Sequence, residues 1–145
     1  MKQPGVLLVL VTFVAAVSLV LASEQYKQGR MSTITLSGVN EVPNYGDPDG
    51  TGLFKFSINA SQNQICYELT TSNIASATAA QIHTGEKDIV GPMLIDLVAP
   101  TKGMWKDCVS VEPEKLADLI KNQSNYYVSV QNAEFPDGAI RGQLR

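Results

Sequence analysis

The chain has 145 residues, 44% of them hydrophobic, with one histidine, two cysteines and a formal charge of −3. That length suits one ordinary domain, and His83 with Cys66 and Cys108 cannot form an all-His or all-Cys metal cage, which needs about four such ligands. The 11 basic residues are scattered and outnumbered by 14 acidic ones, so nucleic acid is excluded as a partner, because it needs a positive surface to displace its counterions.

Residues 1–22 join Lys2 to an apolar run from Val6 to Ala22, broken only by Thr12 and Ser18 and ending on the smaller side chains Val20 and Ala22. This is the layout of a secretory signal peptide. Cleavage is expected before Ser23, leaving residues 23–31 as a flexible lead-in and no membrane contact. The rival is an uncleaved anchor, since about 17 apolar residues is the lower limit for a bilayer span.

From Ser32 onward short alternating segments are separated by turn residues, the spacing of an all-β sandwich or barrel. Strands are predicted near 33–38, 52–58, 64–71, 77–83, 92–98, 106–111, 126–132 and 139–144, which makes 32–145 the folded unit. In the second, Phe54, Phe56 and Ile58 face one way while Lys55 and Ser57 face the other. Asn44 to Gly50 is a loop dense in residues that accept turn dihedrals; Asp47 and Asp49 within it fall short of the six to eight oxygens calcium takes and suit a turn. Pro113 through Lys121 breaks the β pattern, with Leu116, Leu119 and Ile120 at helical spacing behind a first-turn proline, and reads as a short connecting helix.

Ile65, Tyr67 and Leu69 share one face and send Cys66 to the other, and Val109 and Val111 do the same for Cys108. In an oxidising compartment the two sulfurs are expected to bridge on an outer surface, where loop closure stabilises the fold by roughly 4 kcal/mol. Two sequons, at Asn59 and Asn122, fit N-glycosylation in a eukaryotic source. Trp105 is expected in the core or at its edge; exposed, it and Tyr45 become candidate binding anchors.

One segment invites a site. In Ala79-Ala80-Gln81-Ile82-His83 the alternation sends Gln81 and His83 outward together, and in Tyr127-Val128-Ser129-Val130-Gln131 it does the same for Gln131. Were these strands neighbours, the three would form one polar cluster. Glutamine is a poor ligand for copper or zinc, so His83 is expected to be a hydrogen-bonded histidine and not a metal ligand. Gly-x-Ser-x-Gly is absent, and the carboxylates are spaced singly, so no catalytic set is expected.

Leu36-Ser37-Gly38-Val39-Asn40-Glu41-Val42-Pro43, Ala79 to Gly85, Tyr127 to Gln131 and Phe135-Pro136-Asp137-Gly138-Ala139-Ile140-Arg141-Gly142-Gln143-Leu144 stand in an order that strongly resembles the CHRD domain family. The resemblance spans essentially all of 32–145. It implies an immunoglobulin-like or superoxide-dismutase-like antiparallel β-sandwich, usually extracellular. Family members often carry His-x-His in the middle motif and a histidine in the later strand, where this chain has Gln81, His83 and Gln131. Their ending often places a glutamate before Ile-Arg-Gly, where this chain has Ala139, so a possible partner of Arg141 is gone; Gly138 and Gly142 still suit a turn and a tight strand approach.

These readings converge on a secreted, extracellular, non-enzymatic binding or structural module without a cofactor, its ligand an unidentified protein or glycan. The polar cluster is Gln81, His83, Gln131 and Arg141. The alternative is a metal-binding or superoxide-dismutase-like redox protein with a degenerate site around His83.

Overall fold

The computed structural model describes residues 29–145; the expected leader over 1–22 and the lead-in up to residue 28 lie outside them. Eight strands follow: β1 (Ser32–Ser37), β2 (Thr51–Asn59), β3 (Gln64–Ser72), β4 (Ala77–Thr84), β5 (Met93–Leu97), β6 (Met104–Ser110), β7 (Tyr126–Asn132) and β8 (Ile140–Gln143). One helix, α1 (Pro113–Lys121), joins β6 to β7. Among the described residues an all-β antiparallel fold with one short α-helix therefore forms, and strand limits shift from the predicted ones by at most two residues.

The strands make one continuous sheet in the order β5-β4-β7-β8-β1-β2-β3-β6. Its narrowest point is between β8 and β1, where Ser37 opposite Arg141 is the registered pair. Four strands lie on either side of that seam, and their inward faces build one core from Ile34, Phe54, Ile65, Ile82, Val128 and Ile140 among others. The sheet folds back on itself: the Tyr67 hydroxyl of β3 accepts the N–H of Val98, just beyond β5, at 2.9 Å.

Alternation places the core residues. Phe54 and Phe56 of β2 turn inward and their rings stack with centroids 5.3 Å apart, each burial contributing about 2 to 3 kcal/mol. Gly142 of β8 faces inward where a Cβ would run into the Thr35 carbonyl and the Ile34 side chain, which is the tight approach its position suggests.

Two side chains depart from expectation. Trp105 is 43% exposed, because β6 ends the sheet and has β3 as its sole flanking strand. In α1, Leu116 and Leu119 are buried but Ile120 is exposed, since at about 100° per residue it falls on the other side of Leu116 from Leu119 and so at the margin of the buried stripe. The helix is also tied to β7 by the Tyr126 hydroxyl, which donates to Asp118; burial and that carboxylate push Tyr126 up to about 12.

Candidate functional site

The outward faces of β4, β7 and β8 align their polar residues in rows. Gln81 lies opposite Ser129, and Ser129 opposite Arg141; one step along, His83 lies opposite Tyr127, and Tyr127 opposite Gln143. Outward here does not mean solvated. Arg141 is 2% exposed and Ser129 and Tyr127 are also buried, because the segments 38–50 and 85–91 fold over this face.

Arg141 pins the second segment. Its Nη1 donates to the Ile89 carbonyl at 2.9 Å and its Nη2 to the Glu86 carbonyl at 3.0 Å, a fork geometry that guanidinium supplies and ammonium does not. The guanidinium carbon sits 3.4 Å from the centroid of the Tyr127 ring, and His83 stacks on that same ring at 4.9 Å. Gln143 adds a bond from Nε2 to the Gly85 carbonyl at 2.7 Å, and the Tyr127 hydroxyl accepts the Gly91 N–H at 3.2 Å.

Glu41 pins the first segment. It is 3% exposed, and its Oε1 accepts from the Ser129 hydroxyl at 2.7 Å. Burial raises its carboxyl to about 7, against the opposing pulls of the Ser129 bond and the Arg141 charge. Gly138, at φ +141°, underlies that carboxyl: a Cβ there would fall onto the carboxyl carbon and both oxygens. So Glu41 is the acid that sits near Arg141, supplied by the first motif instead of the last. Asn40 completes the attachment, its Nδ2 donating to the Arg141 carbonyl at 3.1 Å.

The glutamine–histidine trio meets at one atom. Gln81 Oε1 lies 3.2 Å from His83 Nε2 and 3.4 Å from Gln131 Nε2. His83 Nδ1 lies 3.0 Å from the Gly91 carbonyl, which only accepts, so Nδ1 carries a proton in this contact, and Nε2 faces the Gln81 side-chain amide. Burial holds His83 below its ordinary 6.5, opposed by the Gly91 bond and reinforced by the Arg141 charge. Arg141 makes no hydrogen bond to the trio and reaches it through the Tyr127 ring. Both histidine nitrogens are thus engaged. Among the described residues no group of three or more His, Cys, Asp or Glu converges, and the neighbouring amides are poor ligands for copper or zinc.

Between the two pinned segments lies a cleft of about 560 Å³. Tyr45 on its wall is 78% exposed, and Lys87 and Asp88 stand opposite. Asp47 and Asp49 form a turn, the Asp49 N–H donating to Asp47 Oδ1 at 3.4 Å.

The other outward face, on β2, β3 and β6, is open. Cys66 and Cys108 are directly opposed across β3 and β6 and are disulfide-bonded. Glu68 beside them pairs with Lys106 at 2.8 Å and Lys55 at 3.6 Å. Asn59 ends β2, its Oδ1 accepting from Ser61 at 2.8 Å, and Asn122 follows α1, its Nδ2 donating to Asp118 at 2.8 Å.

Sequence reasoning passed over Glu41, Tyr127 and Ser129. The available signals were an acidic residue set between a glycine turn and a proline, and a tyrosine and serine outward on the same strand as Gln131. Among the described residues no helix is long and apolar enough to cross a membrane. A family model described as the CHRD domain matches residues 32–144. No curated protein and no solved structure gives a match.

Proposed function

The chain belongs to the CHRD family, and from that premise we propose that it is a secreted, non-enzymatic binding module working outside the cell. One observation carries the reading: the polar side chains of the β4–β7–β8 face are spent on holding two loops. Arg141 of β8 is buried against segment 85–91, and Ser129 of β7 against Glu41 of segment 38–50, while those segments expose Val39, Tyr45, Ile89 and Val90. Groups consumed in structural hydrogen bonds are poor acids, bases or nucleophiles, whereas loops fixed on a rigid sheet suit recognition. The leader supports export, and Asn59 and Asn122 are the glycosylation sites of the exported chain. Its partner is an extracellular protein or glycan.

Two measurements test this. N-terminal sequencing of the chain from culture medium is expected to begin near Ser23, and a chain retaining Met1 in membranes contradicts secretion. Capture from the native extracellular medium is expected to yield a partner lost when Tyr45→Ala and Val90→Asp are introduced together. Equal recovery by both chains contradicts recognition through these loops.

A further inference from the structure

The cleft between the pinned segments has a lining that selects among extracellular ligands. Asn40, Asn44 and Tyr45 come from one segment and Lys87 and Asp88 from the other. Its volume, about 560 Å³, lies within the range of small-molecule sites. It is also built on a rigid base, because Glu41 under one wall and Arg141 under the other are buried and hydrogen-bonded. A preorganised site loses less on binding than one that must order its loops.

The chemistry of the walls narrows the ligand. Lys87 Nζ and Asp88 Oδ2 lie 4.0 Å apart, so their charges largely cancel and leave no field for a phosphate or sulfate. The Asn44 amide and the Asp88 carboxylate are planar polar groups matched to adjacent hydroxyls, while the Asn40 amide is held by the Arg141 carbonyl. Tyr45 offers an apolar face with a polar tip, and its ring stands in solvent instead of in the core. A protein hot spot needs an apolar, fully desolvated pocket for its anchor, whereas here Val39, Val42 and Pro43 are interspersed with asparagines and charged side chains and Val39 and Tyr45 stand in solvent.

We propose that this cleft binds a short neutral oligosaccharide, with Tyr45 stacking on the CH face of a sugar ring and Asn44 and Asp88 bonding its hydroxyls. The proposal rests on the reading of the chain as an extracellular binding module and names the ligand class for it.

The test titrates the secreted full chain by calorimetry with cellohexaose, chitohexaose, mannohexaose and laminarihexaose, and with a sulfated heparin hexasaccharide. At least one neutral hexamer is expected to bind, with affinity reduced about tenfold by Tyr45→Ala, the scale of one lost aromatic contact. Trp105→Ala, on the edge strand β6, is expected to leave it unchanged. Binding that ignores Tyr45→Ala and Asp88→Ala overturns the cleft assignment, and heparin binding as tight as the best neutral hexamer overturns the neutral class. If no neutral hexamer binds at millimolar concentration while Tyr45 still governs capture of a protein from extracellular medium, the saccharide proposal falls and the binding-module reading stands. If neither is seen, both fall.

Discussion

The two outward faces of the sheet start from the same alternation and end differently. On β2, β3 and β6 the outward residues stay in water: Glu68 pairs with Lys55 and Lys106 at the surface, and the structural tie is covalent, between Cys66 and Cys108. On β4, β7 and β8 the outward residues are roofed by two loops, and the tie is a buried polar network around Arg141, Glu41 and Tyr127. An outward side chain is therefore a statement about the sheet and not about solvent. Where a loop returns over the face, the same residue types change from solvated charges into structural anchors, and a glutamate acquires proton affinity near neutrality.

Breaking each tie in turn sharpens the contrast. The largest effect is expected on the open face from Cys66→Ala with Cys108→Ala: chemical denaturation is expected to show a loss of about 4 kcal/mol through freed chain entropy, with the cleft loops unaltered. Next is Arg141→Met on the covered face, expected to cost about 3 kcal/mol by leaving the Ile89 and Glu86 carbonyls without their donor. Here the damage is local as well, and Arg141→Lys is expected to rescue little because one ammonium cannot reproduce the fork.

Glu41→Gln separates the faces by pH. The folded carboxyl titrates near 7 and its reference value is 4.5, so between those values the folded chain holds a proton that the unfolded chain has released. Stability therefore falls as pH rises through that window, by on the order of 3 kcal/mol in all. The glutamine variant is expected to lose this slope in denaturation measured from pH 4.5 to 7.5. It then exposes the opposite, acid-side trend of His83, whose lowered value makes stability fall as pH drops below 6.5. A variant with an unchanged slope contradicts the buried anchor. The smallest effect is expected from Lys106→Ala on the open face: Lys106 is exposed and its half-buried partner Glu68 keeps Lys55 beside it, so the denaturation midpoint should barely move.

Much of the frame is legible in the sequence because period-two alternation is a local property. Ile65, Tyr67 and Leu69 reveal the orientation of Cys66 without knowledge of its partner strand, and the opposed cysteines follow. Pro113 and the leucines of α1 are equally local. Gln81, His83 and Gln131 could be placed on one side of their strands, but whether they meet depends on β4 and β7 being neighbours across an intervening stretch of about 40 residues, which pattern alone does not fix. The exposure of Trp105 is hidden from the sequence for the same reason: burial depends on whether a strand ends the sheet, as β6 does. Glu41 was hidden because it lies in a loop, where alternation says nothing, and its role appears only once Gly138 and Ser129 are brought beneath it.

Amide hydrogen exchange of the two loops tests the covered face most directly. Gly46, Asp47, Gly85 and Gly91, whose N–H groups bond to Gly38, Ala139, Asn125 and Tyr127, are predicted to exchange slowly in the native chain. In Arg141→Met the amides of Gly85 and Gly91 are predicted to exchange fast while those of β2 and β3 stay protected. Rapid exchange of all four in the native chain, or unchanged protection in the variant, would contradict the pinning of these loops.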